Sequence, residues 1–288
     1  MGIITLTTDL GLNDHYVASL KGTILSSVTS PYIIDITHDV RPFDVSQAAF
    51  QLRSCYKDFP DGTIHVIGVD SEPVINFGDG DGSLPSILFF ENQYFISNDN
   101  GFFGVFLQTK KPSSFWRIDD VLSNPSFFKS CTKNMLIATA IKLLNGATIE
   151  DISSPHNSYR NALSSVAISE PNLIRGHVIY CDSFGNAITN IDKELFDRNG
   201  TNTPFTIRFK RKDYYIDVIS PSYNVVPAGE KVALFNESNL LEIAINRGAT
   251  KTTGGAAQLF GLREGDVIMV EFTPKGSKNT INELFPEF

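Results

Sequence analysis

A change of rhythm near Pro171 divides this chain into two kinds of sequence. Ahead of it, short β-branched runs alternate with stretches whose apolar residues recur at helical spacing. Residues 3–7 form the first run and lead into Thr8-Asp9-Leu10-Gly11. Asn13 or Asp14 then offers an N-cap to a helix with Val17, Leu20, Ile24 and Val28 on one face. Residues 32–36, 63–69, 86–90 and 94–97 read as further strands. Asp44 is placed to cap a second helix carrying Val45, Ala48, Ala49, Leu52 and Tyr56, and residues 133–144 form a third, with Gly146 just past its end. Such alternation predicts a mostly parallel sheet flanked by helices on both faces.

Beyond Pro171 the pattern is strand after strand, at residues 174–181, 205–209, 214–219, 231–235, 240–246 and 266–272. Residues 193–198 make one short helix among them. Turn residues fall between the strands at the spacing of a small barrel or sandwich. A chain of 288 residues also exceeds what one core comfortably fills, because single cores stop growing at roughly 250–300 residues. The expected organisation is an α/β domain over residues 1–168, an all-β domain over 172–273, and an extended tail over 274–288.

Charge and composition exclude several functions. The net charge of −8 argues against nucleic acid as partner, since phosphate binding needs clustered Lys and Arg. The chain has no apolar run of the length that spans a membrane. The three cysteines are far apart and form neither a metal-ligand spacing nor a disulfide framework. With no signal-peptide pattern after Met1, a cytoplasmic protein is expected. The acid is unevenly spread. Residues 66–109 hold no Lys, Arg or His, yet contain Asp70, Glu72, Asp79, Asp81, Glu91 and Asp99.

Three places carry candidate chemistry. Asp9 and Asp70 each end a predicted parallel strand, at the edge where open α/β sheets bind ligands. A carboxylate there can accept hydrogen bonds from a ribose diol or act as a general base, and it can equally be a plain loop or cap residue. Asp182-Ser-Phe-Gly-Asn186 packs an acid, an aromatic ring and an amide behind a strand; it suits an amino-acid head group and a flat ring, or a bare hairpin turn. Asp79-Gly-Asp-Gly82 has part of a calcium-loop pattern but lacks its later acidic positions. No metal site follows from the five histidines, and neither Gly11 nor the glycines of residues 248–255 make a phosphate-binding loop.

Five segments occur in an order that adds to this. They are Thr8-Asp9-Leu-Gly11, Asp39-Val-Arg-Pro-Phe-Asp-Val45, Asn98-Asp-Asn-Gly101, Asp182-Ser-Phe-Gly-Asn186 with Thr189-Asn190, and Asn236-Glu-Ser-Asn-Leu-Leu-Glu-Ile-Ala244. Together, from Ile3 to about Phe272, the chain resembles the S-adenosylmethionine (SAM) hydroxide adenosyltransferases, adenosine-forming hydrolases related to fluorinases and chlorinases. The resemblance implies an N-terminal α/β domain, a C-terminal β-barrel, and a homotrimer holding SAM between one subunit's N-domain and its neighbour's C-domain. Position by position it implies Asp9 for the ribose hydroxyls and Phe43 for the wall of the ribose pocket. It further implies Asp182 for the methionine ammonium, Phe184 and Asn186 for adenine, Ser238 for the methionine carboxylate, and Arg247 near the adenine.

The implied reaction is displacement at the 5′ carbon by water, releasing methionine as a neutral thioether, with SAM as substrate and no cofactor or metal. Related hydrolases carry an Asp-Pro-Gly-Val-Gly segment followed by Arg, and later a His-Gly-Arg-Asp. Here these read Val69-Asp-Ser-Glu-Pro-Val-Ile-Asn76 and Lys129-Ser-Cys-Thr-Lys-Asn134. Asp70 is left as a lone base, and Thr132 as a hydroxyl able to orient water. The expected activity is SAM hydrolysis. A SAM- or adenosine-binding protein without turnover is the second expectation, and a SAM-dependent halogenase the third.

Overall fold

In the computed structural model, residues 2–74, 82–119, 129–162, 166–200 and 203–273 are described. The partial calcium pattern at Asp79 and Asp81 and the tail over 274–288 lie outside them. The chain divides into two units, Met1–Ser164 and Ser165–Phe288.

The first unit is built on a seven-stranded sheet of order β2-β1-β3-β5-β4-β6-β7. Its members are β1 (Ile3–Thr8), β2 (Tyr32–Thr37), β3 (Ile64–Gly68), β4 (Pro85–Phe90), β5 (Gln93–Asn98), β6 (Ser114–Ile118) and β7 (Ser153–Pro155). The first three and β5 run parallel; β4, β6 and β7 add an antiparallel edge. The change of direction comes from a two-residue hairpin. Glu91 and Asn92 both have positive φ, the backbone that lets tight hairpins match strand twist.

Helices cover both faces, as the alternation predicts. On one face, Leu20 and Ile24 of α1 (Tyr16–Ser27) and Ala140 of α4 (Ala138–Leu144) pack against Ile4, Leu6, Ile64 and Val66. On the other, α2 (Val45–Arg53) and α3 (Phe102–Leu107) pack against Ile67, Leu88 and Phe95. Asp44 caps α2 by accepting from Gln47 N at 2.9 Å. The cap of α1 differs from expectation. It is His15, with no side-chain bond to the helix. The third predicted helix also begins differently, as a π-helical turn over Thr132–Ile137 that runs on into α4.

The second unit is an eight-stranded antiparallel sheet of order β12-β11-β15-β9-β10-β14-β13, with β8 added on β9. These are β8 (Ile168–Glu170), β9 (Leu173–Cys181), β10 (Ala187–Asp192), β11 (Phe205–Phe209), β12 (Arg211–Ile216), β13 (Lys231–Phe235), β14 (Leu240–Ile245) and β15 (Val267–Phe272). Beyond β12, Ile219 bridges to Ala233 of β13 and nearly closes the sheet into a barrel around Val178, Ile207, Ile243 and Val270. Two helices decorate it, α5 (Lys193–Gly200) and α6 (Ala256–Phe260).

Candidate active site

Strands β1 and β3 are parallel neighbours, with Thr8 paired to Gly68, so Asp9 and Asp70 emerge from the same edge of the sheet. Asp9 is held from two sides. Its Oδ2 accepts from Phe43 N at 2.9 Å and from Asp70 N at 3.4 Å. Phe43 itself has positive φ and a ring left 70% exposed. Three of the sequence candidates are thus brought together by one carboxylate.

Asp70 also sits in the left-handed region, at φ +47°. Asn100 clamps that turn, its Nδ2 donating to Val69 O at 3.0 Å and to Asp70 O at 2.8 Å. Asn98 Nδ2 donates to Glu72 O at 2.9 Å. The Asn98-Asp-Asn-Gly101 segment is therefore the frame of the Asp70 loop, a role its sequence did not disclose. Partial burial, and then the neighbouring Asp9, raise the Asp70 carboxyl above the ordinary aspartate value.

The fourth candidate, Thr132, reaches the same edge from the opposite side of the sheet's end. It is buried at the start of the π-helical turn, a feature that recurs at functional sites. Contact there is close: a Cβ on Gly68 would lie 2.4 Å from Thr132 Cγ2 and 2.7 Å from its Oγ1. Only glycine at position 68 lets the threonine sit against the strand. Thr132 Oγ1 is 2.8 Å from Ser71 Oγ. Its neighbour Cys131 is fully buried, and burial followed by the charge of Glu72 pushes its thiol up to about 12, so it is no nucleophile.

The remaining candidates belong to the second unit. Asp182 organises its own turn, Oδ1 accepting from Phe184 N at 2.9 Å and Asn186 N at 2.8 Å, and Oδ2 from Asn186 Nδ2 at 3.0 Å. Asn186 is buried, whereas the Phe184 ring is 61% exposed. Gly255 supports this turn by allowing the backbone of Phe184 and Gly185 to press on it. Ser238 N donates to Asn236 Oδ1 at 3.0 Å, and Asn236 Nδ2 donates to Glu242 Oε2 at 3.2 Å. Tyr223 completes the group, its hydroxyl 2.7 Å from Glu242 Oε1. Glu242 was not among the sequence candidates, although an acid in the apolar run of β14 was its available signal. Burial, and beyond it the charge of Asp182, raises its carboxyl above the ordinary glutamate value even against these donors. Arg247 has positive φ and its carbonyl accepts from Thr253 Oγ1 at 3.2 Å, in the turn ahead of α6.

A surface concavity lined by Gly2, Gly62, Ile64, Trp116 and Leu144 lies at the opposite ends of β1 and β3, away from these carboxylates. Among the described residues no group of three His, Cys, Asp or Glu could hold a metal ion, and no helix is long and apolar enough to cross a membrane.

Comparison with known proteins gives a consistent answer. Residues 4–153 match the sequence model of the SAM hydroxide adenosyltransferase N-terminal domain, and residues 176–269 that of the C-terminal domain. An (R)-S-adenosyl-L-methionine hydrolase of Methanocaldococcus jannaschii is 28% identical over 256 residues, covering 85% of this chain and 88% of the relative. A fluorinase of Nocardia brasiliensis is 39% identical, but over 62 residues only, 22% of this chain and 21% of its own. The crystal structure of an uncharacterized conserved protein from Thermotoga maritima superimposes with a TM-score of 0.78 at 29% identity, over 93% of this chain and 99% of that one.

Proposed function

The chain belongs to the SAM hydroxide adenosyltransferase family, and on that premise we propose that it hydrolyses S-adenosyl-L-methionine to adenosine and L-methionine. The observation that carries this reading is the Asp9 carboxylate. Two backbone N–H groups fix its Oδ2, which leaves Oδ1 to accept from a ligand at the strand ends. A carboxylate so fixed is suited to a ribose diol, and Asp70, the neighbouring base, then lies beside the 5′ carbon's region of the nucleoside.

The remaining roles follow by chemistry. The exposed Phe43 ring walls the ribose, and the exposed Phe184 ring stacks on adenine, with Asn186 and the Arg247 turn around it. Asp182 carries the charge that matches the methionine ammonium, and the Ser238 turn receives its carboxylate. Asp70 and Thr132 act on water. The substrate's sulfonium and the Asp70 carboxylate that takes the water's proton both lose their charges as products form, so exclusion of bulk water favours the step. Within this reading SAM is the substrate and no further cofactor or metal is called on. The site is completed across the subunits of a cytoplasmic homotrimer.

Incubating the purified protein with SAM and resolving products by chromatography tests the reading; adenosine and methionine in equal amounts are expected. A tight SAM complex by calorimetry with no adenosine formed would instead favour a binding protein, the reading that the absent Arg and His motivate. A halogenase is disfavoured because an anion would meet Asp9 and Asp70 at the same edge.

A further inference from the structure

Ser71 and Thr132 come from segments 61 residues apart and place their hydroxyl oxygens 2.8 Å from each other. Among the described residues neither hydroxyl caps a helix or closes a turn. Both are nonetheless firmly held. Thr132 is wedged against Gly68 at the end of β3, and Ser71 follows the left-handed Asp70 whose carbonyl Asn100 grips. Two hydroxyls bonded together retain one hydrogen outside their own bond, and lone pairs on both oxygens. Such a pair can donate to a water oxygen and accept one of its hydrogens, which fixes the direction of the water's remaining lone pair.

Its surroundings decide what it holds. Asp9 and Asp70 share the edge, and among the described residues the charge that acts on Asp70 is that of Asp9. Lys133, next to Thr132, is turned to Ser19 of α1, at 2.8 Å. A pre-formed anion would therefore sit among carboxylates with a single O–H to stabilise it, whereas a neutral water meets both a donor and acceptors. Resting on the hydrolase reading above, we propose that Ser71 and Thr132 together seat the attacking nucleophile, and that it arrives as neutral water.

The step then balances without a co-reactant. The water oxygen bonds to the 5′ carbon as the carbon–sulfur bond breaks, and that electron pair stays on sulfur in methionine. The water's proton passes to Asp70 and then to solvent. The raised affinity of Asp70 for protons makes it a better acceptor than an ordinary aspartate.

Ser71→Ala, Thr132→Val, the double variant and Thr132→Ser test this, with kcat, KM for SAM, adenosine affinity and melting temperature measured for each. The expected result is a kcat lowered about 10- to 100-fold in either single variant, with the double variant little worse because the hydroxyls act as a unit. KM and adenosine affinity should stay within about two-fold, and Thr132→Ser should retain turnover. Chloride and fluoride should leave kcat unchanged. Wild-type kcat in Ser71→Ala would overturn the inference, as would halide inhibition competitive with the water step. A fall in all the variants, Thr132→Ser included, that tracks melting temperature would also overturn it, by assigning the threonine to packing. If the wild-type protein forms no adenosine, the hydrolase reading fails first and this inference falls with it. Turnover that survives loss of both hydroxyls sinks the inference alone.

Discussion

Asp70 is drawn toward protonation by two neighbours of different kinds, the protein that partly buries it and the Asp9 charge. As base it must be ionised, so kcat/KM should rise with pH through a value above that of an ordinary aspartate, and flatten beyond it. Asp9→Asn removes the like charge and should move that acid limb to lower pH while raising KM for SAM, since the ribose ligand is weakened. Asp70→Asn should lower kcat about 10²- to 10⁴-fold with little change in adenosine affinity. A pH profile unmoved by Asp9→Asn would separate the two carboxylates. His65 poses the opposite case. It is fully buried, stacked on Phe95 at 4.7 Å, with Nδ1 2.7 Å from Thr5 Oγ1 and Nε2 2.8 Å from Gln93 Oε1. A neutral ring protonated on Nε2 satisfies both partners, and burial lowers its pKa to about 4. Between its unfolded value and about 4, only the unfolded chain takes up the proton, so stability falls on acidification through that window. From about pH 7 to about pH 5 the loss should be about 2 kcal/mol in urea unfolding, and much smaller in His65→Gln.

At the scale of elements, strands were more legible than the pieces that join them. The runs at 205–209 and 231–235 coincide with β11 and β13, because β-branched and aromatic residues bounded by turns leave little choice. The short α3 escaped detection: six buried residues, four of them Phe or Leu, have no polar face and therefore no helical period. The π-helical turn escaped for a related reason, since one widened turn leaves the apolar spacing of residues 133–144 nearly unchanged. Strand β10 hides its apolar positions among the amides of Asn186 and Asn190. In β14, Glu242 breaks an apolar strand and yet is almost completely buried. Its carboxylate ties Tyr223 to Asn236, and Asn236 in turn holds the backbone of the Ser238 turn. Glu242→Ala removes the acceptor from two partly exposed donors, each such hydrogen bond contributing about 0.5–1.5 kcal/mol net. Unfolding by urea should show that loss, and KM for SAM should rise more than kcat falls because a positioning contact, not a reacting group, is removed.

For the whole molecule, the uneven charge changes meaning once the chain is folded. The basic residues missing from 66–109 in sequence are supplied by other segments in space. Glu91 takes Lys110 at 3.2 Å, and Asp99, fully buried, accepts from Arg160 N at 2.9 Å and lies within the field of Arg117. Among the described residues Asp70 receives no such partner; the charge acting on it is that of Asp9. Sequence spacing could not separate these cases, because only folding decides which acids acquire a cation. The candidates themselves fall on either side of the change of rhythm near Pro171. Asp9, Phe43, Asp70 and Thr132 lie in one unit, and Asp182, Phe184, Asn186 and Ser238 in the other. On the proposed function, a ligand with a ribose and an amino-acid end needs both sets. In the proposed trimer each site takes the first set from one subunit and the second from its neighbour. Two inactive variants then become informative in combination, one carrying Asp70→Asn and one Asp182→Ala. Each alone lacks an essential group at every site. Co-refolded in equal amounts as random trimers, roughly a quarter of the sites should join an intact first unit to an intact second one, as head-to-tail ring closure requires. Recovery of about that fraction of wild-type turnover, with the assembly sedimenting as three chains, is the expected outcome. A site completed within a single subunit would recover nothing at any mixing ratio.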